Sequence, residues 1–284
     1  MMTVATFNMR NANRGDSING NGWGQRYPYI ADMIRFHGFD IFGTQECKDY
    51  QLDDLKAVLP GYDYIGVGRD DGKRGGEFAA IFYDTNKFDL LDNGNFWLST
   101  NTEEPNKGWD AALPRICSWG KFKNKKSGFT FYFYNLHMDH IGVEARKESA
   151  KLILQKLKEL PGEAPMILTG DFNVDQNNES YTLLETSGLM KDAYTKAEFK
   201  YAPNGTFNNF KPNLFTESRI DHIFLTPQFK VKKYGILTDT YRSAMTEKEL
   251  ADTGGNFPAE VSLEKNMART PSDHFPVVAI VECD

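Results

Sequence analysis

The polar residues best suited to chemistry stand at the ends of apolar runs rather than inside them. Asn8 closes the run TFN, Glu46 follows IFGTQ, and His137 closes FYFYNL. Asp171 and Asn173 follow MILTG, Asp221 and His222 open the run before IFL, and Asp273-His274 stand just before FPVVAIV. Carboxylates, side-chain amides and imidazoles are the groups that ligate hard cations and move protons. In an α/β sheet, strand ends are where side chains from distant sequence converge on one cleft, so these ends predict a single site. One of them has a competing reading. In LTGDFNVDQNNES (168–180), Asp171, Asn173, Asp175 and Asn177 alternate like the ligands of a calcium loop. Such a loop needs Gly at its sixth position and Glu at its twelfth, where this chain has Gln176 and Thr182. The calcium reading fails, and Asp175, Asn177 and Glu179 are read as turn and helix-start residues.

The elements that must position these side chains alternate in type. A strand is predicted at 3–9, a helix at 27–37, a strand at 40–44 and a helix at 50–59, the order of an α/β fold. From Tyr62 to Leu98 the pattern changes to short aromatic and β-branched runs broken by Gly and Asn, which predicts antiparallel strands. ICSWGKF and FTFYFYNLHM flank the Lys-rich stretch 121–126 as a hairpin, with KFKNKK as its solvated turn. A helix follows over 143–160, with Ala150, Ile153, Leu154, Leu157 and Leu160 on one face and Pro161-Gly162 ending it. Strands at 166–169, 220–225, 231–237 and 276–281 and a helix at 180–186 complete the pattern. The aromatic run 129–134 reads as core-facing strand with period-two packing rather than as a base-stacking platform. Trp23, Trp97 and Trp109 sit in Asn- and Gly-rich surroundings, as substrate walls or as caps on the core. The stretch 243–266 reads as a long surface loop or short helical insertion.

With 284 residues, 40% hydrophobic and 25% charged, the chain is expected to fold as one globular domain over 1–284, as a monomer. A formal charge of −6 leaves no global basic field for holding long nucleic acid, though a local basic cleft is compatible with it. Cys47, Cys117 and Cys283 stand singly, without the spacing of a disulfide framework or zinc ribbon. No apolar run reaches the length of a membrane span, so stable membrane insertion is not expected. The expected compartment is the cytoplasm, or a secreted or periplasmic location if Met1-Met2 marks a trimmed leader.

TFNMR, GTQE, NLHMDH, TGDFN, RIDHIF and SDHFPV occur in this order from Thr6 to Val277, and the series resembles the endonuclease/exonuclease/phosphatase superfamily. Within it, NLHMDHIGVEARKESA is most similar to the Ccr4-like deadenylase and sphingomyelinase-like branches. The resemblance implies a DNase I-like, four-layered α/β sandwich with two central mixed, largely antiparallel sheets. It also implies a metal-dependent phosphoesterase in which water attacks a phosphate ester in line, a phosphodiester by weight of family. The substrate would be a nucleotide, oligonucleotide, phospholipid or phospho-sugar, with nucleic acid among the conceivable partners. A phosphomonoesterase and a non-catalytic phosphate-dependent binding module are the alternatives. Mg²⁺ or Mn²⁺ is the implied cofactor, because hard carboxylate oxygens suit these ions. Glu46 is its best ligand candidate, with Asn8 beside it and Asp273 on the same side. His274 is the candidate base, polarised by Asp221, while Asp171 and Asn173 orient water and a phosphate oxygen. Whether His274 or Asp171 takes the proton first is left open. His137 would donate to the developing charge. Arg115 is a phosphate clamp or a structural ion-pair partner, and Asp139, His140 and Arg146 match the second His and Arg of those branches, with His140 and Arg146 as substrate-binding candidates. The loops 11–25, 69–76 and 243–266 would select the leaving group.

Overall fold

The computed structural model describes residues 1–159, 164–244, 258, 260–261 and 263–283. The expected helix stop at Pro161-Gly162 lies outside these residues, as does most of 243–266. Across the first sheet the strands run β10 (Phe199–Tyr201), β12 (Phe229–Ile236), β15 (Val277–Cys283), β1 (Met2–Asn8), β2 (Ile41–Gln45), β4 (Ile81–Asp84) and β3 (Tyr62–Ile65). Across the second they run β5 (Phe88–Trp97), β6 (Ile116–Asn124), β7 (Thr130–His137), β8 (Met166–Asp171), β11 (Asp221–Leu225) and β9 (Lys191–Asp192). Neighbours pair antiparallel except β1–β2, β7–β8 and β10–β12, so both sheets are mixed and largely antiparallel. The helices are α1 (Arg14–Ile18), α2 (Trp23–His37), α3 (Asp49–Val58), α4 (Val143–Lys158), α5 (Glu179–Glu185) and α6 (Ala193–Lys196). A separate hairpin, β13 (Tyr241–Ala244) with β14 (Asn266–Arg269), closes the ends of the 243–266 stretch.

Period-two burial explains the layering. Along β7, Phe131 and Phe133 point between the sheets to meet Val4, Ile41, Ile167 and Ile223. The alternate residues Tyr134 and Leu136 point outward onto Ala150, Ile153 and Leu157 of α4. On the first sheet, Ala5, Phe7 and Phe42 face outward onto Ile30 and Ile34 of α2 and Leu52 and Leu55 of α3. Helix, sheet, sheet and helix thus make the four-layered sandwich. Several expected boundaries move, the start of the second helix from 27 to Trp23 among them. Lys121 and Lys123 belong to β6, and the turn falls at 125–127, because Phe122 is fully buried between the sheets and carries the strand past the first lysines. β8 runs on to Asp171, carrying the carboxylate at its last residue. No helix among the described residues is long and apolar enough to cross a membrane.

Toward one end of the sandwich the inter-sheet space changes from apolar to polar. Asn135, two residues beyond Phe133 on the same face, donates from Nδ2 to the carbonyls of Thr44 and Ala80 in the opposite sheet, both at 2.9 Å. Its Oδ1 accepts from Gln45 Nε2 at 2.7 Å, and Gln45 also donates to Thr6 Oγ1 at 3.0 Å. This buried tier draws the sheets together, and Gly43 is what permits the approach: a Cβ there would overlap Asn135 Oδ1 and Thr169 Oγ1. Gly43→Ala is expected to lower stability by about 1–3 kcal/mol through overpacking, read as a lower urea midpoint at unchanged m-value. A midpoint within error of the parent would mean that the sheets yield freely at this point.

Candidate active site

Strand register sets three of the polar residues side by side. β7 and β8 pair His137 with Asp171, and β8 and β11 pair Asp171 with Asp221. Each lies an even number of residues from an inter-sheet apolar neighbour, Phe133, Ile167 and Ile223 respectively, so all three side chains enter the gap between the sheets. Asn8 enters from β1 opposite, four residues beyond Val4, and its Nδ2 reaches Asp171 Oδ2 at 2.9 Å. Two further residues owe their position to sharp backbone turns at strand ends. Glu46 and Asn173 have φ of 66° and 51°, the left-handed region, which for a residue such as Glu is strain that surrounding bonds must hold. For Glu46 those bonds come from Asn8 Nδ2 at 3.1 Å to Oε1 and from the backbone N–H of Asn11 at 3.1 Å to Oε2. For Asn173 they are its own N–H to Asp171 Oδ1 at 2.9 Å and its Nδ2 to the Met138 carbonyl at 3.0 Å.

These residues border a cleft of about 520 Å³ with two electrical poles. At the acidic pole are Glu46 and Asp273. Arg10 Nη1 lies 3.9 Å from Glu46 Oε2 and 3.5 Å from Asp273 Oδ2, so both carboxylates already face one common cation. Burial, with the Glu46 carboxylate adding to it, pushes the Asp273 carboxyl above its ordinary range despite the opposing pull of His274. Two hard oxygen donors carrying negative charge that their surroundings incompletely neutralise are a donor set that fits Mg²⁺ or Mn²⁺. Asn8 is placed beneath them. Its amide nitrogen is shared by Glu46 and Asp171, and its oxygen accepts from the Arg10 N–H at 3.0 Å, so it joins two carboxylates more than it offers a free ligand.

Asp171, Asp221 and His274 form a second buried group, with one donor atom from each within 4.8 Å of the others. Such a set is compatible with a cation, but His274 Nδ1 is already bonded to Asp221 Oδ2 at 2.9 Å. That bond fixes the ring and directs Nε2 toward Asp171 Oδ2, 3.9 Å away. Burial disfavours a charged imidazole at His274, but the Asp221 carboxylate outweighs it and holds the ring's pKa well above its ordinary value. Asp171 is pushed up by burial first and the Asp221 charge second. His137, with Nε2 3.6 Å from Asp171 Oδ2, goes the other way: burial and then Arg115 and Arg69 hold it well below its ordinary value, as a neutral donor.

The basic pole faces these groups. Arg115 is 4% exposed, with Nε on Asp139 Oδ2 at 3.1 Å and Nη2 against His140 Nδ1 at 2.9 Å, while Nη1 has no hydrogen-bond partner. Arg69 lies beside it, 7% exposed, with Nη1 on Glu77 Oε2 at 2.5 Å and Nε without a hydrogen bond, 3.7 Å from Asp70 Oδ1. Glu77 also accepts from Asn11 Nδ2 at 2.9 Å, and Asn11 reaches Glu46 with the same group, so Glu77 connects the two poles. The sequence motifs point to Arg115 and His140, and the structure brings both to the cleft wall. Arg146 is different: on the helix α4 its Nη1 donates to the Asp139 carbonyl at 3.0 Å, and it does not line the cleft. It secures the loop that carries His140.

Arg10, Glu77 and Phe207 line the cleft without having been singled out in the sequence, and Asn11 and Arg69 line it from the loops 11–25 and 69–76 without having been named as site residues. The signal for Arg69 and Glu77 lay in GVGRDDGKRGGE, a Gly-rich loop whose backbone folds back on itself. Trp97 is not a wall but a prop, its Nε1 donating to the Arg69 carbonyl at 2.8 Å. Trp23 is buried at the start of α2, bonded to Asp54, and Trp109 remains partly exposed. His222 points to the other face of β11, with Nε2 3.0 Å from the Val174 carbonyl. Asp175 and Asn178 act as turn and helix caps, through bonds to the N–H groups of Asn177 and Ser180.

Asp139 anchors this wall. Burial works against its charge, but the backbone N–H groups of Gly142 and Ile141, with Arg115, hold its carboxyl below the ordinary carboxylate range. A depressed folded value means that its stabilisation is complete above the unfolded value, about 3.9, and is lost as pH falls through the folded one. Asp139→Asn is expected to cost about 1–3 kcal/mol at pH 7, and the gap to the parent should narrow below about pH 4. Urea titrations at pH 7 and below pH 4 measure it, and a pH-independent gap would contradict the charge assignment.

Comparison with known proteins places this geometry. The profile described as Endonuclease/Exonuclease/phosphatase family matches residues 5–274. A solved mannosyl-6-phosphatase from Bacteroides thetaiotaomicron is 58% identical over 99% of this chain and 100% of its own, with a TM-score of 0.92. An endonuclease/exonuclease/phosphatase from Bacteroides vulgatus is 40% identical over 100% of this chain and 99% of its own, with a TM-score of 0.84. The human nocturnin catalytic domain, solved with a bound sulfate anion, is 20% identical over 100% of this chain and 93% of its own at a TM-score of 0.69, a likeness of fold.

Proposed function

The chain belongs to the endonuclease/exonuclease/phosphatase family, whose members are phosphoester-cleaving hydrolases, and we propose that it is a metal-dependent phosphomonoesterase acting on a phosphorylated sugar. The observation that carries this reading is the opposition of a carboxylate pole and a guanidinium pole across one cleft, with buried N–H groups of Arg69 and Arg115 that make no hydrogen bond. A phosphate ester fits between them, since its oxygens supply the acceptors those donors lack. The 58% identity to a mannosyl-6-phosphatase supports a sugar monoester over the diester that weight of family favours. A nucleotide diester is the second reading, supported by Phe207, 41% exposed at the cleft edge and able to stack on a base.

In this mechanism Glu46 and Asp273 would hold a divalent ion, with Asn8 fixing Glu46. The ion, when bound, supplies positive charge to a phosphoryl oxygen. The attacking water lies between Asp171 Oδ2 and His274 Nε2, whose 3.9 Å separation suits two groups facing one oxygen. These two act as a coupled pair that takes the water's proton, with Asp221 holding the ring and Asn173 fixing Asp171. His137 and Arg115 donate to phosphoryl oxygens as charge develops.

The test is hydrolysis of a chromogenic phosphomonoester, the matching diester and mannose 6-phosphate, with Mg²⁺, Mn²⁺ or chelator. Chelation is expected to abolish turnover, and Asp171→Asn and Asp221→Asn to lower kcat by about 10²–10⁴-fold with the fold retained. Absence of chelator-sensitive turnover on every ester would remove the enzymatic reading.

A further inference from the structure

The geometry points to Arg69 as a specificity-determining residue, one that bonds the third terminal oxygen of a phosphomonoester and so separates monoesters from diesters. This rests on the monoester reading above. A monoester presents three terminal oxygens and up to two negative charges, whereas a diester presents two oxygens and one charge. Reading the difference takes one more fixed cationic donor than phosphate binding itself requires.

Arg115 and His137 already supply donors that any phosphate ester can use. Arg69 is the additional one. Its guanidinium is more than nine-tenths buried, lines the cleft, and leaves Nε without a hydrogen bond, 3.7 Å from Asp70 Oδ1, while Glu77 holds Nη1. Arg115 repeats the arrangement, tied to Asp139 and His140 with Nη1 open. Two buried guanidinium groups, each tied on one edge and open on another, are costly neighbours without an anion between them. Their proximity is felt electrically, since Arg69 is, after burial, the foremost influence lowering the pKa of Arg115.

The backbone that carries it is also held in place. The Arg69 backbone N–H donates to the Glu77 carbonyl at 3.0 Å, and its own carbonyl accepts from Trp97. Gly68 N–H to Lys73 O at 2.9 Å and Asp70 N–H to Gly75 O at 3.1 Å close the loop on either side. Gly68 lies so close to the Gly75 carbonyl that a Cβ would overlap it. A diester would set its second substituent where the third oxygen belongs, leaving the Arg69 N–H both desolvated and unpaired, which is the costly way to reject a substrate.

The experiment compares kcat/KM for the chromogenic monoester and diester in the parent, Arg69→Gln and Arg69→Lys. Expected in R69Q is a loss on the monoester at least about 10-fold greater than the loss on the diester, with partial recovery in R69K. Inhibition by inorganic phosphate should weaken in parallel. The double variant Arg69→Gln, Glu77→Gln removes both charges while keeping a donor and acceptor, and should show the same change of ratio if R69Q alone fails to fold. Equal losses on both esters, or none on either, overturn the assignment while leaving the monoester reading intact. A parent enzyme without monoester turnover overturns that reading, and this inference with it.

Discussion

The Asn135 side-chain amide, donating to the Thr44 and Ala80 carbonyls across the gap between the sheets, is the contact on which the cleft depends. Facing sheets ordinarily stand about 10 Å apart, filled by interdigitating side chains. Here Phe131, Phe133, Ile167 and Ile223 set that spacing in the apolar part of the sandwich. The proposed chemistry, however, needs Asn8 of one sheet to reach Asp171 of the other, and it does so at 2.9 Å. The polar tier of Thr6, Gln45, Asn135 and Thr169 makes the transition, and Gly43 removes the side chain that would keep the backbones apart. The arrangement has a cost, since Gln45 Oε1 is left buried without a partner.

Above this tier, charge is distributed so that no like-charged group dominates the floor of the cleft. Glu46 and Asp273 share Arg10, Asp171 receives the Asn8 amide, and Asp221 is neutralised by His274. On the opposite wall, Asp139 and Glu77 each hold one edge of an arginine and leave another edge open. Burial holds the Glu77 carboxyl above its ordinary range, with Arg69, Arg115 and Asn11 only partly opposing it. The result is a set of donors and acceptors around one cleft, several of which keep hydrogen-bonding capacity, as the proposed pairing of a phosphate and a divalent ion requires.

Sequence periodicity made the strands legible, and with them the residues at their ends, because a buried run that stops at a polar residue marks a sheet edge. Asn8, Glu46, His137, Asp171, Asn173, Asp221, Asp273 and His274 come to one place for that reason. Register was not legible, and it is register that sets His137, Asp171 and Asp221 in one row. Asn135 and Thr169 sat inside readable strands but gave no sign that their partners lay in the other sheet. Arg69 and Glu77 lay in a Gly-rich loop, where no period tells which way a side chain points. Arg146 had the reverse problem: its helical position was correctly placed, but one turn of helix directs it onto the Asp139 carbonyl instead of into the cleft.

β11 shows how the scaffold supplies the stiffness such a site requires. Its first two residues face opposite ways: Asp221 enters the cleft to hold His274, and His222 enters the outer layer beneath α5. There the ring lies against Phe172 and Tyr181, close to Asp192, whose carboxylate also takes bonds from Tyr181 and Arg219, both at 2.9 Å. Burial opposes the Asp192 charge, but His222 and Arg219 hold its carboxyl below the ordinary range, so a buried charge is compensated by neighbouring side chains. Because successive side chains of a strand share one rigid backbone, whatever fixes His222 on the outer face also fixes Asp221 on the inner one. The RIDH sequence therefore joins two networks back to back, and the orientation of the His274 ring depends on packing that never touches the cleft.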